Sequence, residues 1–243
     1  MKTETIAYDI DGLSYEGVLV YDPARGACPA VLMGPNWMGV TPEAIERARH
    51  LAADGRYTVF IADMYGAGKR PRNPEEAGAL ANPLREAPLE SRKRIGHAWQ
   101  VMLDQGRARG AIDPARRAAI GFCFGGGNVL DLARDGADVQ AVVSIHGDLA
   151  SPMTAGHGDI KGSVLVIHGA ADPVAPKAQR DALEAELEGA GCPWRMLSFG
   201  HTVHAFTDPG VNVPGIAVYD ARAEAVTFDV TFAFLAEVFS RST

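Results

Sequence analysis

Ala118-Ala119-Ile120-Gly121-Phe122-Cys123-Phe124-Gly125-Gly126-Gly127 runs from an uncharged apolar segment into a turn that carries a thiol flanked by glycines. The apolar run reads as a strand buried on both faces. Small residues two before and two after the thiol let this strand and a following helix pass without collision. A sharp strand-turn-helix in the pattern G-x-nucleophile-x-G projects its central side chain from the end of a sheet. That pattern is usually written with Ser, and here the central residue is Cys123. Against this stands the plainer reading of Cys123 as a buried structural cysteine; the strand before it and the glycines after it favour the nucleophile.

Outward from this turn, strand and helix alternate. Short, largely apolar runs at 30–33, 57–62, 118–122, 141–145 and 163–167, and the stretch 195–199, read as strands. Amphipathic stretches at 42–53, 90–105, 127–133, 175–189 and 221–239 read as helices. Such alternation describes a parallel sheet covered by helices. Segments 5–10 and 15–20 alternate at period two across Asp11-Gly12, a tight-turn dipeptide, and predict an antiparallel hairpin. The expected class is α/β, an α/β-hydrolase fold with a mostly parallel twisted sheet, helices on both faces and an antiparallel N-terminal hairpin. No linker or repeat divides residues 1–243, so one domain is expected, and the Pro-, Gly- and Arg-rich stretch 65–88 is a candidate cap or substrate loop.

Composition narrows the class of partner. A net charge of −7 disfavours a phosphate backbone, so no nucleic acid is expected. No uncharged apolar run approaches the roughly 18 residues of a membrane span, and no apolar leader opens the chain. Cys28, Cys123 and Cys192 are odd in number and lie outside any Cys-x-x-Cys or Cys/His cluster, which fits a reducing, cytoplasmic setting with no structural metal. Oligomeric state is not legible.

A thiol of ordinary pKa needs a base nearby, and in a sheet of this kind the chain order is nucleophile, acid, then His. His168-Gly169-Ala170-Ala171-Asp172-Pro173 follows the strand at 163–167, and Gly200-His201-Thr202-Val203-His204-Ala205-Phe206 follows the strand at 195–199. Asp172 is therefore the candidate acid, although it could equally cap a turn, and His204 the candidate base, with His201 as its competitor. His146 and His168 end strands before the acid. The backbone N–H groups of Phe124 and of Trp37, in Gly34-Pro35-Asn36-Trp37-Met38-Gly39, are candidate oxyanion donors.

These residues resemble the dienelactone hydrolase family: the Gly121-Phe122-Cys123-Phe124-Gly125-Gly126 turn, Asp63-Met64-Tyr65-Gly66, the Asp172 loop and His204-Ala205-Phe206 match in type, order and spacing. The resemblance implies no metal or organic cofactor and hydrolysis of a small-molecule ester or enol-lactone through an acyl-cysteine. Two positions depart from it. Asn36 stands where family members commonly carry a glutamate facing the resting thiol, and a neutral amide cannot take a proton as a carboxylate can. Thr207-Asp208-Pro209 stands where dienelactone-cleaving members place an arginine for the substrate carboxylate. Asn36 and Arg85 are candidate substrate contacts, and Arg70, Arg72 or Arg92 could also supply the missing charge. Neutral or cationic esters are the expected substrates. A thioesterase or acyltransferase on the same triad, or a non-catalytic binding domain, are the alternatives.

Cys123→Ala should abolish hydrolysis of short-chain p-nitrophenyl esters without unfolding the protein, whereas Cys28→Ala and Cys192→Ala should leave it nearly intact. Substantial turnover by the first variant refutes the assignment.

Overall fold

A computed structural model describes residues 1–241, which fall into two compact units, one ending at Ala119 and one beginning at Ile120. The first unit opens with β1 (Lys2–Ile10) and β2 (Leu13–Tyr21), paired antiparallel in register from Lys2↔Tyr21 to Ile10↔Leu13. Asp11 and Gly12 turn the hairpin with φ of 50° and 78°, the left-handed region that an Asp-Gly dipeptide tolerates. β3 (Cys28–Gly34), α1 (Pro42–Ala52) and β4 (Thr58–Ile61) follow, with β3 and β4 parallel and β4 antiparallel to β2. α2 (Pro74–Glu86) and α3 (Pro88–Ala108) lead into β5 (Ile112–Phe122), and the strand order in this unit is β1-β2-β4-β3-β5. Leu19, Leu32, Met33, Phe60 and Ile61 are fully buried in its core, with α1 packed on β2 and β4 and α3 on β1 and β3.

The second unit takes up the last residues of β5 and continues through α4 (Phe124–Arg134), β6 (Ala141–Ile145), β7 (Ser163–Gly169), α5 (Lys177–Ala190) and β8 (Trp194–Phe199). Its strand order is β5-β6-β7-β8, with β6, β7 and β8 parallel. A two-residue ribbon, β9 (Asn212–Val213) with β10 (Ala217–Val218), precedes α6 (Ala221–Ser240), which packs on β6 and β7. Among the described residues no helix is long and apolar enough to cross a membrane.

The expected fold class is the observed one, and four local readings are corrected. β5 starts at Ile112 rather than at 118, because Asp113, Arg116 and Arg117 hid its first half behind charge. α4 starts at Phe124 rather than at 127, since close packing overrides the poor helix propensity of three glycines. The 65–88 stretch, read as irregular, contains the whole of a regular helix, α2, whose start is set by Asn73 accepting from Glu76 N–H and by Pro74 in the first turn. β9 and β10 had no counterpart in the reading, because two residues are too few to show a period.

Within the first unit Gly17 faces the Phe60 ring so closely that an added Cβ would overlap it and would sit 2.8 Å from Ile61 O. Gly17→Ala should lower the urea midpoint at unchanged m, corresponding to about 1–3 kcal/mol of overpacking; an unmoved midpoint refutes this account of the glycine.

Candidate active site

Cys123 directly follows β5 and caps α4 with φ 52° and ψ −121°, a backbone conformation that a residue with a side chain rarely adopts. The surrounding residues hold it there. Cys123 N–H donates to Ile145 O at 3.0 Å, while its carbonyl accepts from Gly126 N–H at 2.8 Å and from Asp148 N–H at 3.3 Å. The glycines make this possible: a Cβ on Gly121 would collide with the carbonyl of Gly125, and one on Gly126 would lie 2.6 Å from Gly147 Cα. The turn predicted from sequence is thus present, and it sets the thiol at the carboxyl end of β5 and the amino end of α4.

Asp172 lies in the loop after β7, and His204 in the loop after β8. His204 Nε2 is 3.1 Å from Cys123 Sγ and its Nδ1 is 2.8 Å from Asp172 Oδ2. All three side chains are buried. Asp172 also fulfils the turn role weighed against it, because Oδ1 accepts from Val174 N–H at 2.8 Å and Ala175 N–H at 3.2 Å. One carboxylate oxygen builds the loop and the other meets the imidazole. His201 is exposed and His168 gives Nε2 to Ala175 O at 2.9 Å, so His204 alone of these occupies the bridging place.

Burial by itself would push the His204 pKa down, but the hydrogen bonds to Asp172 and to Cys123 outweigh it and push the value up to about 10. Burial would likewise raise Asp172, yet the His204 contact and two backbone amides hold its carboxyl below the usual range. His168, beside the same loop, is pushed down by burial. Asp172 is therefore a carboxylate acceptor, and the proton on Nδ1 of His204 points to it.

The base loop is held by its backbone as well. His204 N–H donates to Ile216 O at 3.0 Å and Val218 N–H donates to His204 O at 3.1 Å, so β10 runs alongside the loop as a strand would. Sequence reasoning had no access to this ribbon. It also set His146 aside, yet His146 is fully buried, with Nδ1 3.2 Å from Cys123 N and Nε2 2.8 Å from Thr207 Oγ1. The sequence shows it only as a polar residue after a largely apolar strand, which does not point to these partners.

Phe124 is the first residue of α4, directly after Cys123. The remaining candidates belong to the first unit. Asn36 Oδ1 accepts from Met38 N–H at 3.0 Å, and Trp37 O accepts from Tyr65 Oη–H at 2.7 Å. Arg85 is exposed on α2 and donates to Asn82. Arg70 bonds Asp63 and the Gly66 and Glu16 carbonyls, and Arg72 bonds Glu76. Among the described residues no three His, Cys, Asp or Glu side chains converge as metal ligands.

The sequence matches the model of the dienelactone hydrolase family over residues 16–239. The structure is similar to that of a dienelactone hydrolase-like promiscuous phosphotriesterase, P91, from metagenomic libraries, with TM-score 0.88, 33% identity and 98% of each chain covered. A second solved structure, m3DLH, gives TM-score 0.87 and 34% identity with the same coverage. An uncharacterized protein of Caenorhabditis elegans, K02A2.1, is 36% identical over 135 residues, 53% of this chain and 84% of that protein. Family match and fold together place the chain in the dienelactone hydrolase family, as a hydrolase.

Proposed function

We propose that this hydrolase cleaves a carboxylic ester or lactone through an acyl-cysteine, with Cys123 as nucleophile, His204 as proton carrier and Asp172 as the group that orients it. The observation that carries the proposal is the unbroken line from Cys123 Sγ to His204 Nε2 at 3.1 Å and from His204 Nδ1 to Asp172 Oδ2 at 2.8 Å. Sγ as thiolate attacks the acyl carbon, and the carbonyl electron pair moves onto oxygen. The N–H of Phe124 is the donor for that oxyanion; losing such a donor typically costs about 3–4 kcal/mol of transition-state stabilisation. The tetrahedral centre collapses, the C–O bond to the leaving group breaks, and the proton on His204 Nε2 passes to the departing alkoxide. Water then attacks the thioester, giving its proton to His204, and the second collapse releases the acid and the sulfur.

The substrate class proposed is a neutral small ester, since Asp208 follows His204 where an arginine would hold an anionic acyl group. Three cysteines without a disulfide fit the reducing cytoplasm as the proposed location. Roles for Trp37 as a second oxyanion donor, and for Asn36, Arg85 and residues 65–88 in substrate binding, rest on sequence order. The 33% identity to a promiscuous phosphotriesterase supports a second assay, on a neutral phosphotriester, in which the same sulfur would attack phosphorus.

The decisive test is mass spectrometry of the protein quenched during turnover of p-nitrophenyl acetate. A 1:1 acyl adduct on the peptide containing Cys123, absent from Cys123→Ala, is the expected result; turnover with no such adduct removes covalent catalysis from this thiol. A second expectation concerns pH. His204 is held above its free value of about 6.5. Its stabilising effect is therefore complete below that pH and is lost as pH rises towards about 10. Asp172 is held below the free carboxylate value of about 3.9, so its effect is complete above that pH and is lost only in stronger acid. The Tm of the wild type should fall between pH 7 and pH 10 more steeply than that of His204→Gln, and equal slopes would contradict the assigned shift.

A further inference from the structure

His146 directly follows β6 with φ 37°, a left-handed conformation for a residue with a side chain, and no part of it is exposed. Such backbone strain persists only where surrounding contacts hold it. Those contacts are specific. Cys123 N–H, which also donates to Ile145 O at 3.0 Å, lies 3.2 Å from Nδ1, and since that nitrogen is a donor, Nδ1 is the unprotonated second acceptor. Nε2 then carries the ring proton and donates it to Thr207 Oγ1 at 2.8 Å. The ring meets Phe206 edge-on at 4.9 Å between centroids and His204 at 5.3 Å.

The polypeptide positions linked in this way are the nucleophile itself and a residue three beyond the base. A single planar ring spans the backbone amide of Cys123 and the hydroxyl of Thr207, so its two hydrogen bonds fix the distance between the turn that holds the sulfur and the loop that holds His204. We propose that His146 is a positioning residue: as a neutral tautomer locked between Cys123 N–H and Thr207 Oγ1, it sets the separation of Cys123 Sγ and His204 Nε2. The inference rests on the reading of these two groups as nucleophile and base, and goes beyond it.

The opposite tautomer would place an N–H against the Cys123 N–H, and a doubly protonated ring would do so while adding a positive charge beside His204. Titratable neighbours of the ring include Cys123, at its amide, and His204, whose own ring bonds Asp172.

The test uses the alkylation of Cys123 by iodoacetamide as a function of pH, followed on its own peptide, because this reads the thiol–imidazole pair without turnover. Cys28 and Cys192, thiols pushed up by burial, serve as internal references. Thr207→Val keeps the shape but leaves Nε2–H without its acceptor, whereas Thr207→Ser keeps the hydroxyl. In Thr207→Val the Cys123 rate at pH 7 should fall about tenfold, since sub-ångström misplacement of a reacting pair is enough for that. Its pH profile should be displaced, and kcat should fall while KM stays within about twofold. Thr207→Ser should restore all three. If Thr207→Val does not fold, His146→Ala, which removes the ring that joins the two segments and leaves Cys123 N–H to Ile145 O alone, should show the same loss in rate. A variant that melts earlier yet alkylates at Cys123 with the wild-type rate and profile reduces His146 to packing and overturns the proposal. Lack of an acyl adduct in the wild type would overturn the hydrolytic reading instead, and the alkylation result would still decide the role of His146.

Discussion

The left-handed backbone of Cys123 constrains everything around it. Holding a residue with a side chain at φ 52° costs of the order of 1–3 kcal/mol, and the cost is met only because several neighbours are arranged to meet it. Gly121 has no Cβ, so the strand can pass under the carbonyl of Gly125, and Gly126 lets α4 lie against Gly147. The amide of Cys123 is bonded to the end of β6, and its carbonyl is bonded into the first turn of α4. The reward is geometric. The sulfur stands at the tip of a strand and at the positive end of a helix, on a backbone with little freedom to move.

Around that fixed point the second unit assembles a buried polar line in which each group satisfies the next. A carboxylate removed from water is unfavourable unless it is bonded, and Asp172 accepts from two backbone amides and one imidazole. Low local polarity strengthens each of these bonds, as it would penalise any one left unmade. The same burial that by itself would strip the proton from His204 therefore makes its two partners more effective at keeping it.

How much of this the sequence announces depends on how local the cause is. Cys123, Asp172 and His204 were legible because each follows an apolar run and because their chain order is dictated by the fold. The hairpin at Asp11-Gly12 was legible because a turn type demands those residues. The start of β5 was hidden by Asp113 and Arg116, which bond each other on its surface, and α4 was shortened by glycines that serve packing rather than helix formation. α2 carried a readable signal, an Asn73-Pro74 start followed by acids, that the Pro- and Arg-rich composition obscured. His146 was beyond reach. Its partners lie 23 and 61 positions away, one of them a backbone amide, and no spacing rule connects them.

The ribbon beside His204 has a consequence for variation. Both backbone polar groups of His204 are bonded by residues 216 and 218, and Asp220 N–H closes onto Phe206 O. The base thus sits on a small closed frame, while the turn residues 209, 210, 214 and 215 are exposed to solvent. Insertions or exchanges in those turns lengthen or recolour the surface without entering the frame. A lineage could in this way retune what its hydrolase meets at the surface while the imidazole keeps its place.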